Sequence, residues 1–331
     1  GNTGTILSGE GFTMKGVDDT NGSVNLEQNY TIEGKPNNGS ITLPIATAND
    51  YLVGNPYASA IDANLFIADN TDTTGAIYLW EHFGGGTHVT TGYQGGYAVY
   101  NLSGGVQAIQ YDFVTGGTDP TGGTGTKTPG RYIPVAQGFF VIGSGNGTIN
   151  FNNSQRIFRK EDASSVFVRN ASGSATMNRT DEVDDRLKIR LSFEATNTYN
   201  RQLLVTQDSQ ATNQIDFGYD AVNKDELSND MFWMIDGAKF VIQGVPKFDK
   251  DQEFPLGIKV AKAGLVRIKI DALENIDNDV QMYIKDNFTG ERHKINNQPF
   301  EFNLEPGVYL DRFSLVFSPD TTLGDEDEIL N

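Results

Sequence analysis

The sequence predicts an all-β chain built as two antiparallel β-sandwich domains in tandem, jelly-roll or immunoglobulin-like. Three observations lead there. Short runs rich in Ile, Val, Tyr, Phe and Thr recur about every ten residues through the first half, each bounded by Gly, Asn, Asp or Pro. The second half carries longer alternating runs, such as Arg186-Leu-Lys-Ile-Arg-Leu-Ser-Phe193. Composition also changes along the chain: 28 of the 37 glycines precede Ser165, whereas 29 of the 43 acidic residues follow Ser164. With 331 residues, two domains are the natural expectation. The expected division is a Gly-rich sandwich over 1–164, a linker over 165–185, a second sandwich over 186–320 and an acidic tail over 321–331. The linker holds the polar run Arg169 to Asp185, which has too few apolar side chains to bury itself.

In the first domain the expected strands are Ser40–Ile45, Tyr51–Val53, Ala76–Trp80, Tyr97–Leu102, Val106–Phe113, Gly138–Ile142 and Thr148–Phe151. One short helix is expected over Ala60–Ala68, with Ser59 as its N-cap and Asp62 in its first turn. Asn55-Pro56-Tyr57 sets it up, because proline fixes its own φ and keeps Asn55 extended, which ends the preceding strand. Asn55 and Ser59 then satisfy backbone groups that the turn leaves open.

In the second domain, Leu187, Ile189, Leu191 and Phe193 share one face of a strand. Arg201–Gln207 follows the turn Thr196–Asn200 and completes a hairpin. Leu265–Ile270, Val280–Lys285 and Tyr309–Phe317 repeat the alternation, and Asp286–Glu291 turns the chain into the strand Arg292–Ile295. These patterns predict an antiparallel sandwich with one wet face on each sheet.

Candidate chemistry is sparse. Tyr78 to Tyr100 reads as a hairpin with a long glycine-rich loop, in which Trp80 and Tyr78 alternate with Leu79, so that one face is core and the other exposed. Its candidate ligand-binding residues are Trp80, His82, His88, Tyr93 and Tyr97, aromatic groups able to stack on sugar rings. His82 and His88 with Glu81 do not match the i, i+4 spacing of the helical zinc motif. Gly116–Gly130 lacks the ending of a phosphate-binding loop and reads as a connector. Asp277 and Asp279 are the candidate metal ligands, for calcium, although no run matches the twelve-residue calcium loop. A solvated turn is the simpler reading of that pair. Catalysis is not expected: no acid pair is privileged for glycoside hydrolysis, and none of the three histidines sits near a nucleophile elbow.

A net charge of −18 with no Lys/Arg cluster argues against nucleic acid. With no cysteine, each domain is held by its core, not by disulfides. No apolar run approaches the ~20 residues of a membrane-spanning helix. Gly1-Asn-Thr-Gly-Thr-Ile6 lacks the charged and apolar regions of a signal peptide, so the sequence reads as an internal portion of a longer protein.

A series of particular motifs runs through residues 9–160: Gly9-Glu-Gly-Phe-Thr-Met-Lys-Gly16, Gln28–Gly39, Leu52-Val-Gly-Asn-Pro-Tyr57, Tyr78-Leu-Trp-Glu-His82, Tyr97–Gly104, Ile133–Val141 and Phe151-Asn-Asn-Ser154. Their order and spacing resemble a module found near the C-terminal end of large surface proteins, many regarded as adhesins, that Bacteroidota export by the type IX secretion system. Phe217-Gly-Tyr-Asp-Ala221, Phe232-Trp233 and Asp286–Gly290 are similar to the region downstream of it. The resemblance implies a secreted, cell-surface location outside the outer membrane. It also implies a non-catalytic role in adhesion or as a spacer ahead of a sorting domain. Implied partners are surface glycans, other surface proteins and the secretion machinery. It carries over no catalytic residues.

Overall fold

The computed structural model describes residues 5–13, 33–84, 94–108, 127–159, 184–195, 199–277 and 280–317. The architecture is mostly β, arranged as several sheets. The first half contains β1 (Ile41–Ile45), β2 (Asp50–Gly54), β3 (Ala60–Asp62), helix α1 (Ala63–Asp69), β4 (Ile77–Gly84), β5 (Gln94–Asn101), β6 (Gly104–Val106), β7 (Tyr132–Ile133), β8 (Gly138–Ile142), β9 (Gly147–Phe151) and β10 (Arg156–Ile157). A five-stranded antiparallel sheet runs β2-β8-β4-β5-β6, beside the pair β1-β9 and the short sheet β10-β3-β7. Between them lies a core in which Phe66 of α1 meets Phe139 edge-on and Phe151 at a tilt, each with ring centroids 5.2 Å apart.

Local chemistry explains the helix entry, with one correction. The helix does not begin at Ala60. Ala60–Asp62 is a strand pinned between β10 and β7, so the helix waits until Ala63 and its cap is Asp62 instead of Ser59. The Asp62 carboxylate accepts the Asn64 N–H at 2.9 Å. Asn55 punctuates the chain as its sequence predicts. Its Oδ1 accepts the Tyr57 N–H at 3.0 Å, and its Nδ2 donates to the carbonyls of Ser59 and Pro134, both at 2.9 Å. Tyr57 is buried and donates its hydroxyl to the Gly39 carbonyl at 2.6 Å. The expected strand Val106–Phe113 is not found as such: the chain pairs over Gly104–Val106, and residues 109–113 lie outside the described residues.

The second half contains β11 (Lys188–Ala195), β12 (Tyr199–Gln207), β13 (Ala221–Val222), β14 (Asp230–Ile235), β15 (Ala238–Val245), β16 (Glu253–Val260), β17 (Gly264–Glu274), β18 (Met282–Asp286), β19 (Arg292–Lys294), β20 (Phe300–Leu304) and β21 (Gly307–Phe317). They form one sheet in the order β19-β18-β21-β16-β14-β15-β12-β11-β17-β20, with β13 added on β15. Among these described strands only β12 and β15 pair in parallel. The sheet curls until its ends nearly meet, giving a barrel-like form. His293 on β19 stacks on Phe300 of β20 at 4.5 Å, and Phe302 of β20 reaches Phe313 of β21 at 4.8 Å.

The expectation of one wet face per sheet fails for the central strands. β11, β14 and β15 are buried at nearly every position. One face lines the interior of the curled sheet, and the first half covers part of the other. The same packing corrects the reading of β4. Ile77 and Leu79 join the first half's own core, whereas Tyr78 points into a core cluster continuous with Leu204, Trp233 and Ile242 of the second half. Both faces of β4 are therefore covered, and Trp80 alone of residues 77–81 keeps part of its surface in solvent.

The seam between the halves is tight. Leu102 N–H donates to the Gly218 carbonyl at 2.8 Å, and the Ser103 hydroxyl donates to the Tyr219 carbonyl at 2.7 Å. Thr206 Oγ1 returns a bond to the Ser103 carbonyl at 2.8 Å. Gly75 and Gly218 approach so closely that a Cβ on Gly75 would lie 2.3 Å from the Gly218 nitrogen. Nearby, Arg201 is fully buried against Asp230, with Nε to Oδ1 at 2.7 Å, and Asp225, with Nη1 to Oδ1 at 3.1 Å. Asp225 Oδ2 in turn accepts the Tyr97 N–H at 3.2 Å across the seam.

Candidate functional site: a charged cleft at the seam

The predicted aromatic hairpin is only partly assembled. Trp80 and Tyr97 stand directly opposite each other on β4 and β5, with ring centroids 5.2 Å apart in an edge-on arrangement. Tyr97 does not offer a free stacking face. It meets Phe140 edge-on at 5.4 Å, and the Lys224 ammonium, itself paired with Asp50, sits 4.7 Å from its ring centroid. Burial first, then Asp50 and Asp225, push its hydroxyl up to about 12. Trp80 lies across Gly95, where a Cβ would come within 2.5 Å of the indole. His82 belongs to β4, opposite Gly95. His88 and Tyr93 lie outside the described residues. Of the metal candidates, Asp277 is exposed in a turn, its carbonyl accepting the Val280 N–H at 3.2 Å, and Asp279 lies outside the described residues. Among the described residues, no three His, Asp or Glu side chains gather as a metal site. No helix among them is long and apolar enough to cross a membrane.

A concavity lies elsewhere among the described residues, between the halves. It is a cleft of about 620 Å³, bounded by β6, the segment Thr128–Tyr132, Arg159 and the approach to β11. Its charged wall is a ladder of alternating sign. Asp208 holds Arg186 Nη1 at 2.8 Å, and Asp184 holds Arg186 Nη2 at 2.8 Å. Asp184 also holds Lys188 at 2.9 Å, and Glu274 bridges Lys188 at 2.8 Å and Arg190 Nε at 2.7 Å. Two rungs are tied to the first half: Arg186 Nη1 donates to the Leu102 carbonyl at 2.8 Å, and Arg190 Nη1 to the Gly105 carbonyl at 2.6 Å. On the opposite wall Arg131 clasps Asp62, the helix cap, with Nε 3.0 and 3.1 Å from the two carboxylate oxygens.

Burial alone would raise the Asp184 carboxyl, but hydrogen bonds from Arg186 and Lys188 outweigh it and hold the group well below the usual carboxylate range. Glu274 behaves alike: burial opposes ionisation, while Lys188 and Arg190 favour it more strongly and lower its pKa. Asp184 and Glu274 are thus held as carboxylates, each fixed between two cations. Tyr100, Tyr132 and Tyr219 supply the aromatic lining, and the Arg159 guanidinium lies 4.2 Å from the Tyr132 ring centroid.

A family model described as Domain of unknown function (DUF8693) matches residues 1–317. The chain belongs to this DUF8693 family. No curated protein and no solved structure matches it. The DUF8693 match spans both halves and the cleft between them.

None of the cleft's basic residues was singled out from the sequence. A signal was available: Arg186, Lys188 and Arg190 occupy alternate positions and therefore one face of a strand, opposite Leu187 and Ile189. In a chain with net charge −18, three cations on one strand face are unusual enough to mark a surface.

Proposed function

We propose that this chain is a non-catalytic extracellular module of a secreted cell-surface protein, serving as a rigid spacer or in adhesion. The observation that carries the reading is the seam, where a continuous apolar cluster and buried ion pairs join the two halves. A spacer needs such rigidity. Its first half takes the sandwich form, with the five-stranded sheet facing β1-β9 across Phe66, Phe139 and Phe151; its second half takes the same layered principle into a curled sheet. Acids with perturbed protonation near the cleft and seam are structural in setting. Asp184 and Glu274 are bound in the ladder, and Asp220, just before β13, accepts backbone N–H bonds from Asp216 and Gly244. The motif series of residues 9–160 supports surface export through the type IX route, with surface glycans or other surface proteins as partners.

Carbohydrate binding on the 78–100 hairpin is a second reading, favoured by the half-exposed Trp80. Its weakness is Tyr97, whose ring is engaged by Phe140 and Lys224.

The two tryptophans make the spacer reading testable, since Trp80 reports the first half and Trp233 the second. In the single-tryptophan variants Trp80→Phe and Trp233→Phe, urea unfolding followed by fluorescence should give coincident transitions. Separate midpoints would remove the rigid-spacer role. Hydrolysis of a polysaccharide or peptide, abolished by one carboxylate substitution, would remove the non-catalytic one.

A further inference from the structure

We infer that the cleft at the seam is a binding site for a short saccharide bearing a carboxylate group. The site extends the adhesive form of the proposed function, and its failure would leave the spacer form and its unfolding test untouched.

Size and place come first. A volume of about 620 Å³ falls within the range of small-ligand sites, and junctions between structural units are where such sites concentrate. Charge points to an anion. Five of the chain's 25 Lys and Arg residues line this one cleft against three carboxylates, Asp184, Asp185 and Asp208, so its lining carries a cation excess although the chain as a whole carries −18. An anion approaching so acidic a protein is drawn to where its cations are gathered.

Bonding capacity narrows the class. Arg190 uses Nε on Glu274 and Nη1 on Gly105 and Gln202, which leaves Nη2 without a protein partner among the described residues. The hydroxyls of Tyr132 and Tyr219 likewise have no protein partner among the described residues. A carboxylate oxygen can accept from the remaining Nη2 of Arg190 in a charge-assisted bond. Sugar hydroxyls both donate and accept, so they suit a wall where Asp184 and Asp208 alternate with arginines. Tyrosine rings provide the apolar faces that the carbon side of a sugar ring covers. An apolar peptide finds little to fill in a lining dominated by tyrosines, glycines and charges, whose only aliphatic side chains are Leu102 and Pro129.

The test uses the full chain and a galacturonic acid trisaccharide, with a neutral galactose trisaccharide, acetate and sulfate as controls. Titration calorimetry should show binding of the acidic trisaccharide only, weakening as salt is raised. Hydrogen exchange on the unmodified chain should show new protection confined to 127–132 and 184–190. Tyr132→Ala, at a half-exposed ring, and Arg190→Gln should each weaken binding about tenfold or more while the chain stays folded. If either variant unfolds, the exchange map of the unmodified chain decides. No binding at millimolar concentration would overturn the inference. So would equal binding of the neutral sugar, equal protection by acetate or sulfate, or protection confined to the 78–100 hairpin.

Discussion

Three glycines with nearly the same backbone allow the seam to be weighed separately from chain conformation. Gly75, Gly218 and Gly237 each have φ of 79°. Replacing any of them by alanine forces an L-residue into the left-handed region, at about 1–2 kcal/mol. They differ only in what the new methyl meets. At Gly237, in the Asp236-Gly237 turn between β14 and β15, nothing lies within 4 Å. At Gly218 it would meet Leu102 Cδ1 at 3.0 Å and Ile67 Cγ2 at 3.4 Å, flexible ends that yield a few tenths of an ångström. At Gly75 it would lie 2.3 Å from the Gly218 nitrogen and 2.7 Å from its Cα, which are backbone and cannot turn away. Contact distance is about 3.5 Å, so the halves would have to part by more than about 1 Å. Overpacking of that kind adds about 1–3 kcal/mol. The expected losses are therefore about 1–2 kcal/mol for Gly237→Ala, slightly more for Gly218→Ala and about 2–5 for Gly75→Ala. Urea unfolding of the three variants, followed by circular dichroism and by both tryptophans, measures them. Equal losses in all three would refute the close backbone approach at the seam. A Gly75→Ala loss seen by Trp80 but not by Trp233 would refute its coupling to the second half.

Other perturbations probe the buried polar groups. Arg201→Met strands Asp230 and Asp225 without their cation, and should cost about 3–5 kcal/mol in the same unfolding assay; a loss below about 1 kcal/mol would show that the acids find other partners. Asn55→Ala removes the acceptor of Tyr57 N–H and the donor to the Ser59, Ile133 and Pro134 carbonyls, at about 2 kcal/mol, with the helix entry as the first segment to gain hydrogen exchange. Burial raises the Asp220 carboxyl to about 7, against opposing bonds from Asp216 and Gly244. Because its folded pKa lies above its unfolded one, the native state holds the extra proton between about pH 4 and 7, so this group's contribution to stability falls as pH rises through that window. Asp220→Asn should flatten that part of the stability profile; an unchanged slope would assign it to another group. Asp184 acts in the opposite sense at lower pH. Its depressed pKa contributes stability above about pH 4 that is lost on acidification, and Asp184→Asn should reduce that acid-side loss.

Much of the strand pattern was legible because its punctuation is local. Gly, Asn and Pro around β1, β2, β8 and β9 mark their ends to within a residue or two, and the Asp286–Gly290 turn closes where its residues demand, with Gly290 at φ 78°. The hairpin of β14 and β15 was missed for a physical reason. Its strands are buried on both faces, so Phe232-Trp233 and Phe240-Val-Ile242 show no alternation. Yet Ile235-Asp-Gly-Ala238 carried a strong hairpin signal, and both turn residues take positive φ, 48° at Asp236 and 79° at Gly237. Helix α1 was placed three residues early because Ala60–Asp62 reads as helix locally, whereas pairing with β7 and β10, from residues 132–133 and 156–157, decides the matter.

The site was less legible than the fold, since it depends on which surfaces meet. Aromatics between glycines drew attention to the 78–100 hairpin, but Tyr97 is drawn into the seam by Lys224 and Asp225, residues more than a hundred positions away. The cleft gathers Arg131 from one half with Arg186, Lys188 and Arg190 from the other, and no spacing rule connects them. Its acids were invisible for a related reason: Asp62 reads as a helix residue and Glu274 as the end of a strand, yet each fixes a cation on a wall of the cleft. The same carboxylate that caps α1 therefore positions Arg131, so Asp62→Asn should unsettle helix and cleft together. Exchange protection in α1 and at 129–132 should fall in step. Loss in α1 alone would mean that Arg131 is held by something other than the cap.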